Sequence, residues 1–451
     1  MCGIVGVYDT ESRGGTDPLQ LQRMMSVIRH RGPDETGVYL DDQIGLGQMR
    51  LSIIDLSSGS QPIHNEDETQ WIVYNGEVFN YIELRETLEQ KGHQFYTTSD
   101  TEVIVHLYEE YGADCLSQLN GQFAFAIWDT RRQSLFMARD RLGIRPLHYT
   151  LRNGRLVFGS EVKSILVHPD VPRRLDPIAL SQIFTFWTTL SPRTAFEGIQ
   201  ELPPGHYLIC RRGQLEVQRY WHVPLVPPHE QLEMPIEQVS EAIYETLLDA
   251  VRIRLRADVP VGSYLSGGLD SSAVTSLIVR NFNNRVRTFG ITFEERDFDE
   301  ADYQREMVDH LQCHHSEVQA TNESIGTHFP EAVWHCEKPL LRTAPLPMFH
   351  LSRLVRDNGF KVVLSGEGAD EVFGGYNIFR EAKIRRFWAR DRKASRRADL
   401  IGELYPYIFN DPRRKRAARG FFARGLDQFD APLYSHQLRW ENTSRLKRFL
   451  C

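Results

Sequence analysis

The segment Val261-Gly262-Ser263-Tyr264-Leu265-Ser266-Gly267-Gly268-Leu269-Asp270-Ser271-Ser272 passes from an apolar strand-like run, through two glycines, into the polar start of a helix. Glycines let the backbone approach a ligand, and free N–H groups at a helix N-terminus suit phosphate oxygens. The loop lacks the Gly-Lys-Ser/Thr ending of a Walker A loop. Without that lysine it is better suited to holding pyrophosphate as a leaving group; a plain tight turn is the alternative. Downstream the alternation continues. Thr288–Phe293 reads as a strand before a helix near Ala301–Leu311, and a helix near Met348–Asp357 precedes a strand at Lys361–Leu364. This order predicts a parallel sheet with helices on both faces. Upstream, Val239, Ile243, Leu247 and Val251 mark one face of an amphipathic helix.

A second loop of this half is Ser365-Gly366-Glu367-Gly368-Ala369-Asp370-Glu371, directly after Val362-Val363-Leu364. A small, acidic loop after an apolar strand is where open parallel sheets bind ligands. Asp270 and Asp370 can supply oxygen ligands to Mg²⁺. Glu367 can orient or deprotonate an attacking amine. Three carboxylates so close need a cation or a proton to coexist.

Pro224, Pro227, Pro228 and Pro235 break the chain after Tyr220-Trp221, which places a linker at 220–236. Before it, 2–219 reads as short strands, among them Gln43–Gly47, Trp71–Tyr74, Phe123–Trp128, Ser134–Ala138 and Leu156–Phe158. Helices are predicted at Ile82–Lys91 and Glu102–Tyr111, the second after a Ser99-Asp100 start signal. The pattern predicts an α+β layered domain, followed by an α/β domain over 237–451.

Cys2 becomes the first residue once Met1 is removed, and its α-amine, with a pKa of about 7.7–8.0, can serve as base for its own thiol. Arg31-Gly32-Pro33-Asp34, Arg50-Leu51-Ser52-Ile53-Ile54-Asp55, Asn75-Gly76-Glu77 and Ser99-Asp100 accompany it. Together they fit an amide substrate. Thiolate attack creates an oxyanion, which the Asn75 side chain and the Gly76 N–H can hold. Arg50 suits the α-carboxylate of glutamine, and Asp100 with Glu77 its α-ammonium. Taken singly, Cys2 could be incidental, Arg50 a surface ion pair and Asn75-Gly76 a hairpin turn.

The 451 residues carry a net charge of −7, with 41% hydrophobic and 25% charged residues, values that exclude a disordered or collagen-like chain. No uncharged apolar run reaches the roughly 18 residues of a membrane span, and the N-terminus is no signal peptide. The six cysteines, Cys451 included, form no C-x-x-C pair. Neither a disulfide framework nor a zinc ribbon is therefore expected, and a reducing cytoplasm is. Cys313-His314-His315, with His310, His335 and Cys336, matches no standard zinc spacing and is read as packed or surface residues. Arg380–Cys451 holds 19 basic against 8 acidic residues, a solvated or docking face; no nucleic-acid module accompanies the charge. Phe184-Thr185-Phe186-Trp187 is expected in core or interdomain packing.

Cys2-Gly3-Ile4, RGPD at 31–34, RLSIID at 50–55, NGE at 75–77 and RDRLGIRPLHY at 139–149 resemble a class II glutamine amidotransferase domain. SGGLDSS at 266–272 and SGEGADEVFGGY at 365–376 resemble the ATP-pyrophosphatase domain of glutamine-hydrolysing asparagine synthetases. The resemblance implies an N-terminal-nucleophile αββα sandwich joined to an α/β parallel-sheet ATP-pyrophosphatase domain. It implies that Cys2 releases ammonia from glutamine, that ATP with Mg²⁺ adenylates aspartate, and that ammonia displaces AMP. Arg50, Leu51, Ser52, Ile53, Ile54, Asn75, Gly76, Glu77 and Asp100 would bind glutamine. Leu265, Ile291, Ser365 and Gly366 would line the ATP site beside Ser266, Gly267, Gly268, Asp270 and Ser271, and Glu367 would assist acyl-adenylate formation. A homodimer is among the expectations.

Two departures qualify these expectations. Leu340-Leu341-Arg342-Thr343-Ala344-Pro345-Leu346 stands where the family often has a polar stretch near the aspartate site. A different carboxylate, read by Arg342, is thus an alternative acceptor. Family members also continue with an Arg-rich helix motif and a polyphosphate lysine, neither of which is found before Cys451. The reading is of a C-terminally incomplete chain, with glutaminase activity or ligand binding alone as the remaining alternative. It also implies that part of the apolar surface carried by Phe387, Trp388, Leu404, Tyr405, Phe421, Phe422 and Trp440 lies exposed.

Overall fold

Gly3–Asp9 is buried along its whole length and lies inside an antiparallel sheet, which explains why its sequence, GIVGVYD, shows little polar alternation. The computed structural model describes residues 1–11, 14–282, 286–296, 299–409 and 412–449; Cys451 lies outside them. The first sheet runs Gln200–Glu201, His148–Arg152, Arg155–Gly159, Gly3–Asp9, Ile44–Arg50, Glu35–Leu40. The second runs Gln214–Arg219, His206–Arg211, Ser134–Arg139, Gly121–Asp129, Gln70–Val78, Ile63–His64. Ile4, Tyr8 and Leu46 of the first pack on Val73, Ala126, Trp128 and Met137 of the second.

Each sheet buries its other face under helices. Leu21, Met24 and Met25 of Pro18–Ser26 cover Val5, Val7 and Met49. Val103, Ile104 and Leu107 of Asp100–Tyr111 share a core with Ile72, Phe123 and Phe125. The layers are therefore helix, sheet, sheet, helix, the αββα sandwich. The expected helix at Glu102–Tyr111 begins at Asp100, capped by Ser99, whose side chain accepts from the Thr101 N–H.

The third sheet is parallel, with order His314–Ala320, Arg287–Phe293, Val261–Tyr264, Val362–Leu364. Val274, Leu277 and Ile278 of helix Leu269–Asn281 cover one face, and Leu351 and Val355 of helix Pro345–Asp357 the other. The chain order reverses between Val261–Tyr264 and Val362–Leu364. A crevice opens beyond the carboxyl ends of strands at such a reversal, and both loops singled out above leave from those ends. The predicted helix at Ala301–Leu311 has those bounds; the strand His314–Ala320 was not anticipated, because HHSEVQA carries few β-formers.

The basic end folds into helices with a core of its own, built on Trp388, Ile401, Tyr405, Phe422 and Leu438. Of the apolar positions named above, Trp388, Tyr405 and Phe422 are buried in this core, whereas Phe387 is 43% exposed. Glu381 anchors the cluster, accepting hydrogen bonds from Tyr405 Oη (2.9 Å) and Arg439 Nη2 (2.6 Å). Phe186 meets Trp440 edge-on at 5.0 Å, and the Trp187 indole N–H donates to Thr443 Oγ1 (2.8 Å), so this aromatic run is interdomain packing. Among the described residues, no helix is long and apolar enough to cross a membrane.

Candidate active site

One cavity of about 1720 Å³ runs from Cys2 in the sandwich to Ser365 and Glu367 beside the parallel sheet. Cys2 precedes the central strand Gly3–Asp9 and is held from two sides. Its carbonyl accepts from Arg31 Nε (2.8 Å), and its Sγ accepts from the Leu51 N–H (3.3 Å). Arg31 in turn pairs with Glu161 (2.9 Å). Met1 is 51% exposed as a residue, yet its α-amine sits in the cavity, where burial lowers its pKa to about 5.

Asn75 and Gly76 lie within strand Gln70–Val78, opposite Ala124 and Phe123, which rules out the hairpin-turn reading. Asn75 is completely buried, and neither its Oδ1 nor its Nδ2 has a hydrogen-bond partner. An orphaned amide on a cavity wall is costly unless a ligand completes it. Arg50, 3% exposed, is no surface residue: it bonds Glu35 (2.8 Å) and the Ile54 (3.1 Å) and Asp55 (2.5 Å) carbonyls.

Asp100 accepts from Tyr74 Oη and the Val78 N–H, both at 2.9 Å, but burial still raises its pKa to about 6. Burial also raises Glu77. Two desolvated carboxylates in one cavity can receive a cation. Leu51, Ile53 and Ile54 line the same cavity, whereas Ser52 is buried behind it, its N–H donating to Asp34 (2.9 Å).

A second pocket, of about 240 Å³, fills the crevice of the parallel sheet. Leu265, Ser266, Asp270, Ser271, Ile291, Ser365, Gly366, Glu367 and Asp370 all line it, so the two loops meet. Gly267 and Gly268 form the bend beneath. Gly267 has φ +84°, and a Cβ there would stand 2.7 Å from that of Tyr303. A Cβ on Gly366 would stand 2.8 Å from Asp270, so glycine lets the loops close. The set of Asp270 and Asp370 oxygens fits a hard divalent cation. Glu367 lines both the pocket and the long cavity.

Between the ends, Leu247, Ala250, Val251, Val274, Val355 and Val362 line the cavity, with Arg254 stacked on Phe79 (4.5 Å). Residues that the sequence reading missed close the domains over this passage. Lys361 reaches Asp34 (2.6 Å), Asp258 accepts from the Asp55 N–H (2.7 Å), and Glu337 accepts from the Val162 (2.6 Å) and Lys163 (2.7 Å) N–H groups. Arg342 lines neither cavity; its guanidinium lies 3.6 Å from the Trp187 ring centroid.

Residues 1–221 match the glutamine amidotransferase domain model, and residues 242–449 match that of asparagine synthase. The chain is 40% identical over 385 residues to asparagine synthetase [glutamine-hydrolyzing] 1 of Bacillus subtilis (strain 168), covering 84% of this chain and 60% of that protein. With asparagine synthetase [glutamine-hydrolyzing] 3 of the same organism it shares 35% identity over 427 residues, 91% of this chain and 69% of that one. Amidase chyE of Penicillium rubens is 38% identical over 377 residues, 80% of this chain and 55% of that protein. The chain thus spans 55 to 69% of the length of these three relatives.

Proposed function

Because this chain belongs to the glutamine-hydrolysing asparagine synthetase family, we propose that its two ends catalyse successive half-reactions of glutamine-dependent asparagine synthesis. The observation that carries this reading is the continuous cavity from Cys2 to Glu367.

At the first end Met1 is removed, and the Cys2 amine takes up the thiol proton. The desolvation that lowers the Met1 amine would keep this one unprotonated at neutral pH. Glutamine places its ammonium at Asp100 and Glu77 and its carboxylate at Arg50. Sγ adds to the side-chain amide, and Asn75 Nδ2 with the Gly76 N–H holds the oxyanion. The Cys2 ammonium returns its proton to the leaving nitrogen, the C–N bond breaks, ammonia leaves, and water later cleaves the thioester to glutamate.

At the second end the Ser266–Ser271 loop holds the pyrophosphate of ATP, and the aspartate carboxylate attacks the α-phosphorus. Mg²⁺ held by Asp270 and Asp370 would neutralise polyphosphate charge. Glu367 accepts the surplus proton as ammonia displaces AMP. Ammonia is mostly protonated in neutral water, so the apolar walls favour the neutral nucleophile, and Arg254 repels ammonium.

The test supplies amide-¹⁵N glutamine, ATP, Mg²⁺ and aspartate in the presence of unlabelled ammonium. Labelled asparagine formed with little dilution, together with stoichiometric pyrophosphate, supports the proposal. Full dilution shows that ammonia escapes the cavity and overturns coupled transfer. Pyrophosphate release with another carboxylic acid but not with aspartate moves the acceptor.

A further inference from the structure

Glu66, His93, His106 and Glu109 converge on one point, their ligand atoms all within 4.8 Å of one another. Among the described residues they are the one such grouping of His, Cys, Asp or Glu. Glu66 comes from the connection between strands Ile63–His64 and Gln70–Val78, and His93 from the loop after helix Tyr81–Gln90. His106 and Glu109 share one face of helix Asp100–Tyr111 at i, i+3. None of the four lines the cavity described above.

The His106 side chain is 0% exposed. Neither of its ring nitrogens completes a hydrogen bond, nor does the buried Glu109 Oε2. Native structures rarely bury such atoms without a partner. The spacing says what the partner is. Glu66 stands 3.0 Å from His93 Nδ1 and 3.3 Å from His106 Nδ1. Glu109 Oε2 stands 3.9 Å and 3.8 Å from the same two nitrogens. Ligands about 2.0–2.1 Å from a tetrahedral ion stand about 3.3–3.4 Å apart, so small shifts close the set around one ion.

The outer groups fit as well. His106 Nε2 faces Glu102 Oε1 at 3.5 Å, and Glu102 is fixed by the Tyr96 N–H (2.9 Å) and the Thr97 N–H (2.7 Å). His93 Nε2 faces Glu110 at 3.4 Å, and Lys91 holds Glu110 (2.6 Å). Both imidazoles therefore turn Nδ1 inward and Nε2 toward a carboxylate. Outer carboxylates of this kind fix the tautomer of metal-bound histidine.

We propose that these four residues form a structural site for a divalent transition metal, with Zn²⁺ as its occupant. Two imidazoles with two carboxylates suit zinc, whereas Mg²⁺ and Ca²⁺ prefer oxygen alone. The ion would tie two loops to helix Asp100–Tyr111. Asp100, which lines the amide cavity, lies six residues from His106, about 9 Å along the helix.

The experiment measures metal in the full chain, desalted after zinc loading, by mass spectrometry and X-ray absorption. One zinc per chain is expected, with nitrogen and oxygen scatterers at about 2.0–2.1 Å. Chelation should lower the melting temperature by about 4 °C or more. His106 is buried and its variants are prone to misfold, so the deciding variants are the partly exposed His93→Gln and Glu66→Gln. Each should weaken zinc binding about 100-fold or more and abolish the visible bands of tetrahedral Co²⁺. A sulfur shell near about 2.3 Å would put the metal on a thiol and overturn the proposal. So would zinc retention by His93→Gln, or a chain that neither binds zinc nor responds to chelator, which would leave a histidine–carboxylate cluster without a metal.

Discussion

The two ends of the long cavity are built on opposite plans. At the amide end the working side chains stand on strands or helix starts and are nearly dry: Asn75 is 0% exposed, Arg50 3% and Asp100 5%. At the nucleotide end they stand on loops beyond strand termini or, for Asp270 and Asp370, in the first turns of the helices that follow, and Ser266, Ser365 and Glu367 are exposed. Glutamine brings a neutral amide to the bond being broken, so the protein must supply oriented dipoles in advance. ATP brings several charges with their own counter-ion. A loop of small residues can stay hydrated until that ligand arrives, and acidic side chains there avoid burial without a cation. Dry and prebuilt against wet and ligand-completed is the contrast that mutation can break.

The largest effect should come from Cys2→Ala. Glutamine-dependent synthesis is expected to fall by about 10⁴-fold or more, while synthesis from added ammonium stays within about twofold of the parent. Parallel loss of both activities in a folded variant would show that the ends are not separable. Asn75→Ala should follow, with glutaminase kcat down about 10²–10³-fold and KM little changed. Because the buried amide has no partner to lose, its melting temperature should hold. A drop in stability with normal kcat would make Asn75 a packing residue.

At the wet end, Asp270→Asn and Asp370→Asn should each cut Mg²⁺-dependent pyrophosphate release about 10–100-fold. Raised Mg²⁺ should restore part of it, and glutaminase activity should be untouched. Unchanged pyrophosphate release in both variants would remove them as metal ligands.

The same contrast governs what could be read from the chain. Several strand and helix positions in both halves followed from apolar spacing, though the strands Gly3–Asp9 and His314–Ala320 and the helix Pro18–Ser26 did not. The two nucleotide loops were legible because each is a short continuous segment after a strand. At the amide end, Cys2, Arg50, Asn75 and Asp100 were found as residues, but their environment was not. For Arg50 the alternative of a surface ion pair fell away only with its bonds to Glu35 and two carbonyls. The domain clamps were invisible because Lys361, Asp258 and Glu337 look like ordinary surface charges, and their partners lie 174 to 327 residues away. The grouping of His93 and His106 was hidden for the same reason. Adjacent Cys313-His314-His315 reads as packed residues, and His315 does bond Thr288 (2.9 Å) in the sheet, while His93 and His106 are brought together by folding.

The smallest predicted effect is the one that tests dryness itself. Burial holds Asp100 at a pKa of about 6, against an ordinary 3.8. Between those values the folded chain keeps a proton that the unfolded chain releases, so stability falls as pH rises through this window and levels off above it. The shift corresponds to about 3 kcal/mol lost at neutral pH. Glutamine reverses the preference, since its ammonium needs the ionised carboxylate. In Cys2→Ala, where turnover cannot interfere, the glutamine Kd should therefore rise about tenfold between pH 7 and pH 5. Adding Asp100→Asn should weaken binding at pH 8 and flatten the profile, while raising the melting temperature at pH 8 and leaving it unchanged near pH 4. Affinity and stability are thus expected to move in opposite directions at one residue. A Kd that ignores pH in the Cys2→Ala chain, or an Asp100→Asn variant that loses stability at pH 8, would show that Asp100 is a structural acceptor for Tyr74 and Val78 and not the receptor for the substrate's charge.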